Sequence, residues 1–99
     1  MNELIAKTGR VSLTGQFKCP PAEVPFIRKA LERHIVLTRQ EPGCLHFDVS
    51  EDAETVGLFH VTELFVDGAA FEHHGTRTRE SQWWKASGHL PRAFTVKQL

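Results

Sequence analysis

Residues 11–18, VSLTGQFK, alternate, with Val11, Leu13, Gly15 and Phe17 on one side and Ser12, Thr14, Gln16 and Lys18 on the other. A period of two with one apolar side predicts a half-buried strand. The period then changes. In CPPAEVPFIRKALERHIVLTRQEPG, Val24, Ile27, Leu31, Ile35 and Thr38 recur at steps of three and four, which predicts an amphipathic helix of roughly four turns. Its start falls near the prolines at 20 and 21, and Pro42-Gly43 stops it. On a wheel of about 100° per residue His34 falls at the edge of the apolar stripe.

Two further extended runs, CLHFDVSED and VGLFHVTELFVD, flank an acidic turn at Asp52–Glu54 and predict an antiparallel hairpin. The second run is apolar on both sides: Phe59, Val61, Glu63 and Phe65 face one way, Leu58, His60, Thr62 and Leu64 the other. Burying both sides of such a strand in so short a chain calls for helices on one face and a partner on the other. Asp67 is a good N-cap for a helix that Gly75 weakens after about two turns, because an interior glycine costs roughly 1 kcal/mol. A second helical piece is predicted from Arg77 to Ser87, ended by Gly88 in the C-terminal glycine position, with Pro91 beyond it. AFTVKQL alternates again as a last strand. The order is βαββαβ, a ferredoxin-like α+β plan over residues 11–99, with residues 1–10 as an N-terminal extension.

Composition narrows the function classes. Ninety-nine residues make one domain, and a core this small encloses a ligand cavity more readily if a second copy covers the sheet. Twelve basic and twelve acidic residues leave no net charge, which favours neither nucleic acid nor an anionic membrane as partner. The short apolar runs and an N-terminus without an apolar core read as a soluble, cytoplasmic chain. Cys19 and Cys44 form no disulfide framework: Cys44 reads as a small buried hydrophobe and Cys19 as a loop residue.

Three stretches carry a resemblance. EPGCLHFDV, FHVTELFVDGAAFEHH and the threonine-, arginine- and tryptophan-bearing helix after them are similar to the antibiotic biosynthesis monooxygenase domain family. The most specific element is E-x-x-x-D-x-x-A-x-x-x-H, here Glu63, Asp67, Ala70 and His74. The resemblance implies a dimeric α+β barrel, two sheets face to face, with a pocket in each subunit between its own sheet and helices. It also implies reactions as varied as cofactor-free oxidation of phenols or quinols, haem degradation, and isomerisation of a phosphorylated sugar. The chain departs from many relatives in reading Thr76-Arg77-Thr78-Arg79 where they carry Thr-Pro-His, and in having Thr62 and Phe65 flank Glu63 where they carry tyrosine and tryptophan.

Each polar candidate has a plain alternative. His74 matches the family's histidine and is the candidate base, although a histidine near a helix end can simply cap carbonyls. His73 points about 100° away, toward solvent, so the pair is no metal site, for which ligands at i and i+3 or i+4 are required. Arg77 and Arg79 lie about 200° apart, so one faces the pocket; Arg79, where relatives often carry a second histidine, is preferred as stabiliser of a developing anion. Trp83 with Phe65 and Phe71 would offer aromatic walls, His60 a further contact, and Trp84 would diverge from Trp83. Glu63 shares a face with Phe59, Val61 and Phe65 and must be paired or neutral, in an ion pair or in catalysis. His34 could reach the same pocket from the first helix. The function expected is a homodimeric monooxygenase without metal, flavin or other cofactor, taking dioxygen and a quinol, polyphenol or similar anion-forming compound. The alternatives are a proton-transfer isomerase on a small phosphorylated sugar-like compound, and a non-catalytic dimeric binding domain whose interior Trp83, Phe71 and Phe94 would fill.

Overall fold

The computed structural model describes residues 9–99. Residues 1–8, most of the expected N-terminal extension, lie outside the described part. Strand β1 (Val11–Lys18) is followed by a 3-10 turn (Pro21–Glu23), helix α1 (Val24–Arg39), strands β2 (Cys44–Glu51) and β3 (Leu58–Phe65), helices α2 (Gly68–Arg79) and α3 (Gln82–Ser87), and strand β4 (Arg92–Gln98). The strands form one antiparallel sheet in the order β2-β3-β1-β4.

The period-two strands sort their side chains as the alternation dictates. Leu13, Phe17, Phe59 and Val61 form a core with Val24, Ile27 and Leu31 of α1 and Trp83 of α3. Phe17 and Phe59, opposite each other in the ladder, stack at 4.7 Å, and Trp83 closes on Phe17 edge-on. The other face carries exposed His46, His60, Thr14, Thr62 and Thr95, with no helix over it among the described residues. Gly15 matters to the inner face because a Cβ there would meet the Ala93 carbonyl at 2.1 Å and the Phe94 ring at 2.6 Å. Its lack of a side chain lets β4 close in and lays Phe94 across β1.

The helices differ from expectation in three ways. Helix α2 runs through Gly75 to Arg79, and the break falls at Glu80-Ser81, where the Ser81 hydroxyl caps α3 by accepting from the Trp84 amide. The predicted piece from Arg77 to Ser87 is thus the end of one helix plus a separate helix of six residues. Gly88 ends α3 in the right-handed region, φ −59°, not as a left-handed cap. His34 sits within the buried stripe of α1 with Val24, Ile27, Leu31 and Thr38, and Ile35 is the residue at its edge.

Candidate functional site

Between the sheet's inner face and the three helices lies a cavity of about 260 Å³. That is just below the usual range for ligand pockets, roughly 300–1,000 Å³, and suits a compound of one or two rings. Asp67 fixes the rotation of α2 by accepting from the Ala70 amide at 2.8 Å, and this turns His74 inward while His73 stays exposed. His34, one helical turn before Thr38 on the stripe of α1, approaches His74 to a ring separation of 5.7 Å. Its imidazole lies flat against Trp83 at 5.5 Å and edge-on to Phe47 at 5.4 Å. Glu63 reaches the same space from the middle of β3.

The carboxylate behind His74 comes from the turn after α1. Glu41, nearly all buried, accepts the Nδ1–H of His74 at 3.2 Å and also binds Nε of Arg77. Arg77 further donates to the Thr38 hydroxyl at 2.7 Å, tying α2 to the end of α1. With Nδ1–H committed to Glu41, neutral His74 presents the Nε2 lone pair to the cavity side, where the Thr78 hydroxyl stands at 3.3 Å and Glu63 Oε1 at 3.7 Å. Phe65, fully buried, packs against the His74 ring at 4.9 Å and limits its rotation.

Burial sets the protonation of this group. Desolvation, reinforced by the nearby Glu41 charge, pushes the Glu63 carboxyl up to about 8, so it is neutral at pH 7 and able to donate. Burial pulls His34 down to about 3, with His74 and Arg77 adding to the effect, and its Nδ1 has no hydrogen-bond partner among the described residues. His74 is also lowered by burial, but Glu41 opposes that shift by charge and by hydrogen bond, while Arg77 and His73 add to it. Of the two imidazoles, then, only His74 has a carboxylate to support it once protonated. Among the described residues no group of three or more His, Cys, Asp or Glu is arranged to hold a metal ion.

Six of the nine candidates line the cavity: His34, Glu63, Phe71, His74, Arg79 and Trp83. Three do not. Arg77 is consumed by Glu41 and Thr38, Phe65 stands behind His74, and His60 lies on the outer face bonded to Asp52 at 2.8 Å. Period two settles His60: it must face away from Phe59, Val61 and Glu63. Trp84, which the helical wheel sent outward, also lines the cavity, because α3 is a separate helix with its own axis. Glu41 carried no signal of its own, since a turn residue belongs to no period and its burial depends on α2 folding over it.

The fold and the cavity together define a ferredoxin-like α+β domain with a two-imidazole pocket between sheet and helices. The profile of the antibiotic biosynthesis monooxygenase family matches residues 10–86, and the chain belongs to that family. Among solved structures it is similar to a protein assigned to the same family from Deinococcus radiodurans, at 27% identity over 90% of this chain and 91% of that one, TM-score 0.79. A Caulobacter crescentus protein of the same assignment matches at 21% identity, 97% and 93% coverage and TM-score 0.77. SnoaB, a cofactor-independent oxygenase from Streptomyces nogalater, shares the fold at 14% identity, 93% and 94% coverage and TM-score 0.74. No curated protein matches the chain. Among the described residues no helix is long and apolar enough to cross a membrane.

Proposed function

We propose that the chain is a cofactor-independent monooxygenase acting on a quinol, polyphenol or similar anion-forming aromatic compound. The observation that carries this reading is the Glu41–His74 pair: a buried imidazole whose Nδ1–H is held by a carboxylate and whose Nε2 faces an apolar cavity. A substrate hydroxyl against Nε2 gives up its proton there, and Glu41 stabilises the resulting imidazolium. The same oxygen is within reach of Thr78 and of neutral Glu63, which donates to the phenolate as it forms. Electron density passes into the ring, dioxygen accepts it, and for a substrate bearing two removable hydrogens one oxygen atom enters as a carbonyl while the other leaves as water. No external reductant is required. His34, held neutral, orients substrate and is not the base, and Trp83 and Phe71 clasp the ring. Family membership and the cofactor-independent oxygenase among its fold relatives support the reaction class.

The protein works as a cytoplasmic homodimer, the outer faces of two sheets packing together. The isomerase reading loses ground because its second proton carrier would be His34, whose burial disfavours the protonated form that a shuttle must pass through. The filled-interior reading loses ground because Phe71, Trp83 and Phe94 surround the cavity without occupying it. An oxygen electrode tests the proposal: purified protein consumes oxygen with members of a hydroquinone and naphthol panel, and His74→Gln lowers kcat by about 10²–10⁴-fold. Absence of uptake across the panel, or equal rates in the variant, rejects it.

A further inference from the structure

Two guanidinium groups line the cavity with no carboxylate paired to them among the described residues. Arg79 lines the cavity yet is exposed, and its only hydrogen bond within the described residues is a long one, 3.5 Å, to the Thr76 hydroxyl. Its guanidinium lies back over α2 at Gly75, where a Cβ would come within 3.2 Å of Nη1. Arg92 enters from β4 and is partly buried, with its guanidinium 4.7 Å above the Trp84 ring. It donates to the carbonyls of Ser87 at 2.5 Å and Leu90 at 3.3 Å. These bonds use two of its five N–H groups and fix its plane. Arg28, Arg39 and Arg77 each pair with a carboxylate, whereas among the described residues none lies within ion-pair distance of Arg79 or Arg92. A partly buried, immobilised cation facing a ligand cavity without a counter-charge is arranged for an anion that arrives with the ligand.

We propose that Arg79 and Arg92 form an anion subsite, so that the substrate carries, besides the ring hydroxyl presented to His74, a carboxylate or other acidic group at its opposite end. Trp84 and Phe94, which line the same cavity, flank the connecting part of the ligand. This inference rests on the aromatic-substrate reading and narrows it: the compound enters ring first, and its anion stays at the mouth where the two arginines hold it. It also places the reaction after one that yields an aromatic acid or acidic ester, since a plain hydroquinone leaves both cations unanswered.

Isothermal titration calorimetry under nitrogen with three probes of one ring system tests the subsite. The probes are 2-naphthol, 6-hydroxy-2-naphthoic acid and 6-hydroxynaphthalene-2-sulfonate, and the last two separate a planar anion from a tetrahedral one. At low salt at least one anionic probe binds about tenfold or more tighter than 2-naphthol, and that preference shrinks toward one in Arg79→Gln and in Arg92→Gln. Because the readout is a ratio of affinities on a single sample, partial loss of folded protein in Arg92→Gln cancels. Binding of 2-naphthol with no preference for either anion, or a preference that survives both substitutions, overturns the subsite and leaves the aromatic reading standing. Binding of none of the three overturns both.

Discussion

In the proposed reaction Glu63 is a donor, and a carboxyl in apolar surroundings donates only while it keeps its proton. Its folded pKa is raised from 4.5 to about 8, so the folded state holds a proton that the unfolded chain releases. The stability this gives is complete below pH 4.5 and is lost as pH rises through about 8. His34 acts in the opposite sense: lowered from 6.5 to about 3, it supports the fold fully above pH 6.5 and costs stability as pH falls toward 3. Glu63→Gln keeps a donor and removes the titration. Relative to the parent protein, its stability rises between pH 5 and pH 8.5 by an amount on the order of a few kcal/mol, as denaturant melts at the two pH values would show. Equal differences at both pH values would mean that Glu63 ionises normally. The anomaly of Glu63 was legible in the sequence, since one acidic residue interrupts an apolar face. The burial of Glu41 was not, because it follows from a contact between residues 33 apart or more, Glu41 with His74 and Arg77, which no local pattern encodes.

Helix α2 places most of the polar chemistry, with His74 and Thr78 facing the cavity, Arg77 clamped to the end of α1, and Arg79 at the mouth. Its glycine does not end it, because the Asp67 cap and the Glu41–Arg77 ion pair at the far end hold the helix through the weak position. Gly75 sits where Arg79 folds back, so Gly75→Ala is expected to raise stability by about 0.5–1 kcal/mol through helix propensity while displacing the guanidinium. A thermal melt reads the first effect, and the affinity for 6-hydroxy-2-naphthoic acid reads the second. A higher melting temperature with unchanged affinity would show that Arg79 relaxes without consequence. The strands and α1 were legible because their periods extend over seven or more residues each. The Glu80-Ser81 break was not, because a serine N-cap in a polar stretch looks like any other surface serine until the helix axis changes direction.

At the scale of the whole molecule, the uncovered face of the sheet is short-chained at its centre. Thr62, Thr14 and Thr95 lie side by side across β3, β1 and β4, with Leu58 and Leu64 half-buried beside His60 and His46. Such a face has low entropy to lose on packing against a copy of itself. Sedimentation equilibrium is expected to give twice the mass of one chain, and Thr14→Arg, which puts a charge at the centre of that face, to give a single-chain mass with unchanged circular dichroism. A monomeric parent protein would rule the dimer out. The two-sided apolar pattern of β3 called for a cover on each face without saying which one the helices take; the structure puts them over Phe59, Val61 and Glu63.

Everything proposed for the reaction depends on His74 taking the proton before oxygen reacts, and anaerobic mixing isolates that step. With a naphthol hydroquinone that the enzyme oxidises, stopped-flow absorbance at a pH below the free compound's pKa should show the red-shifted phenolate band forming on binding, and the band should be absent with His74→Gln. Binding without the band, or the same band in the variant, would contradict deprotonation by the Glu41–His74 pair.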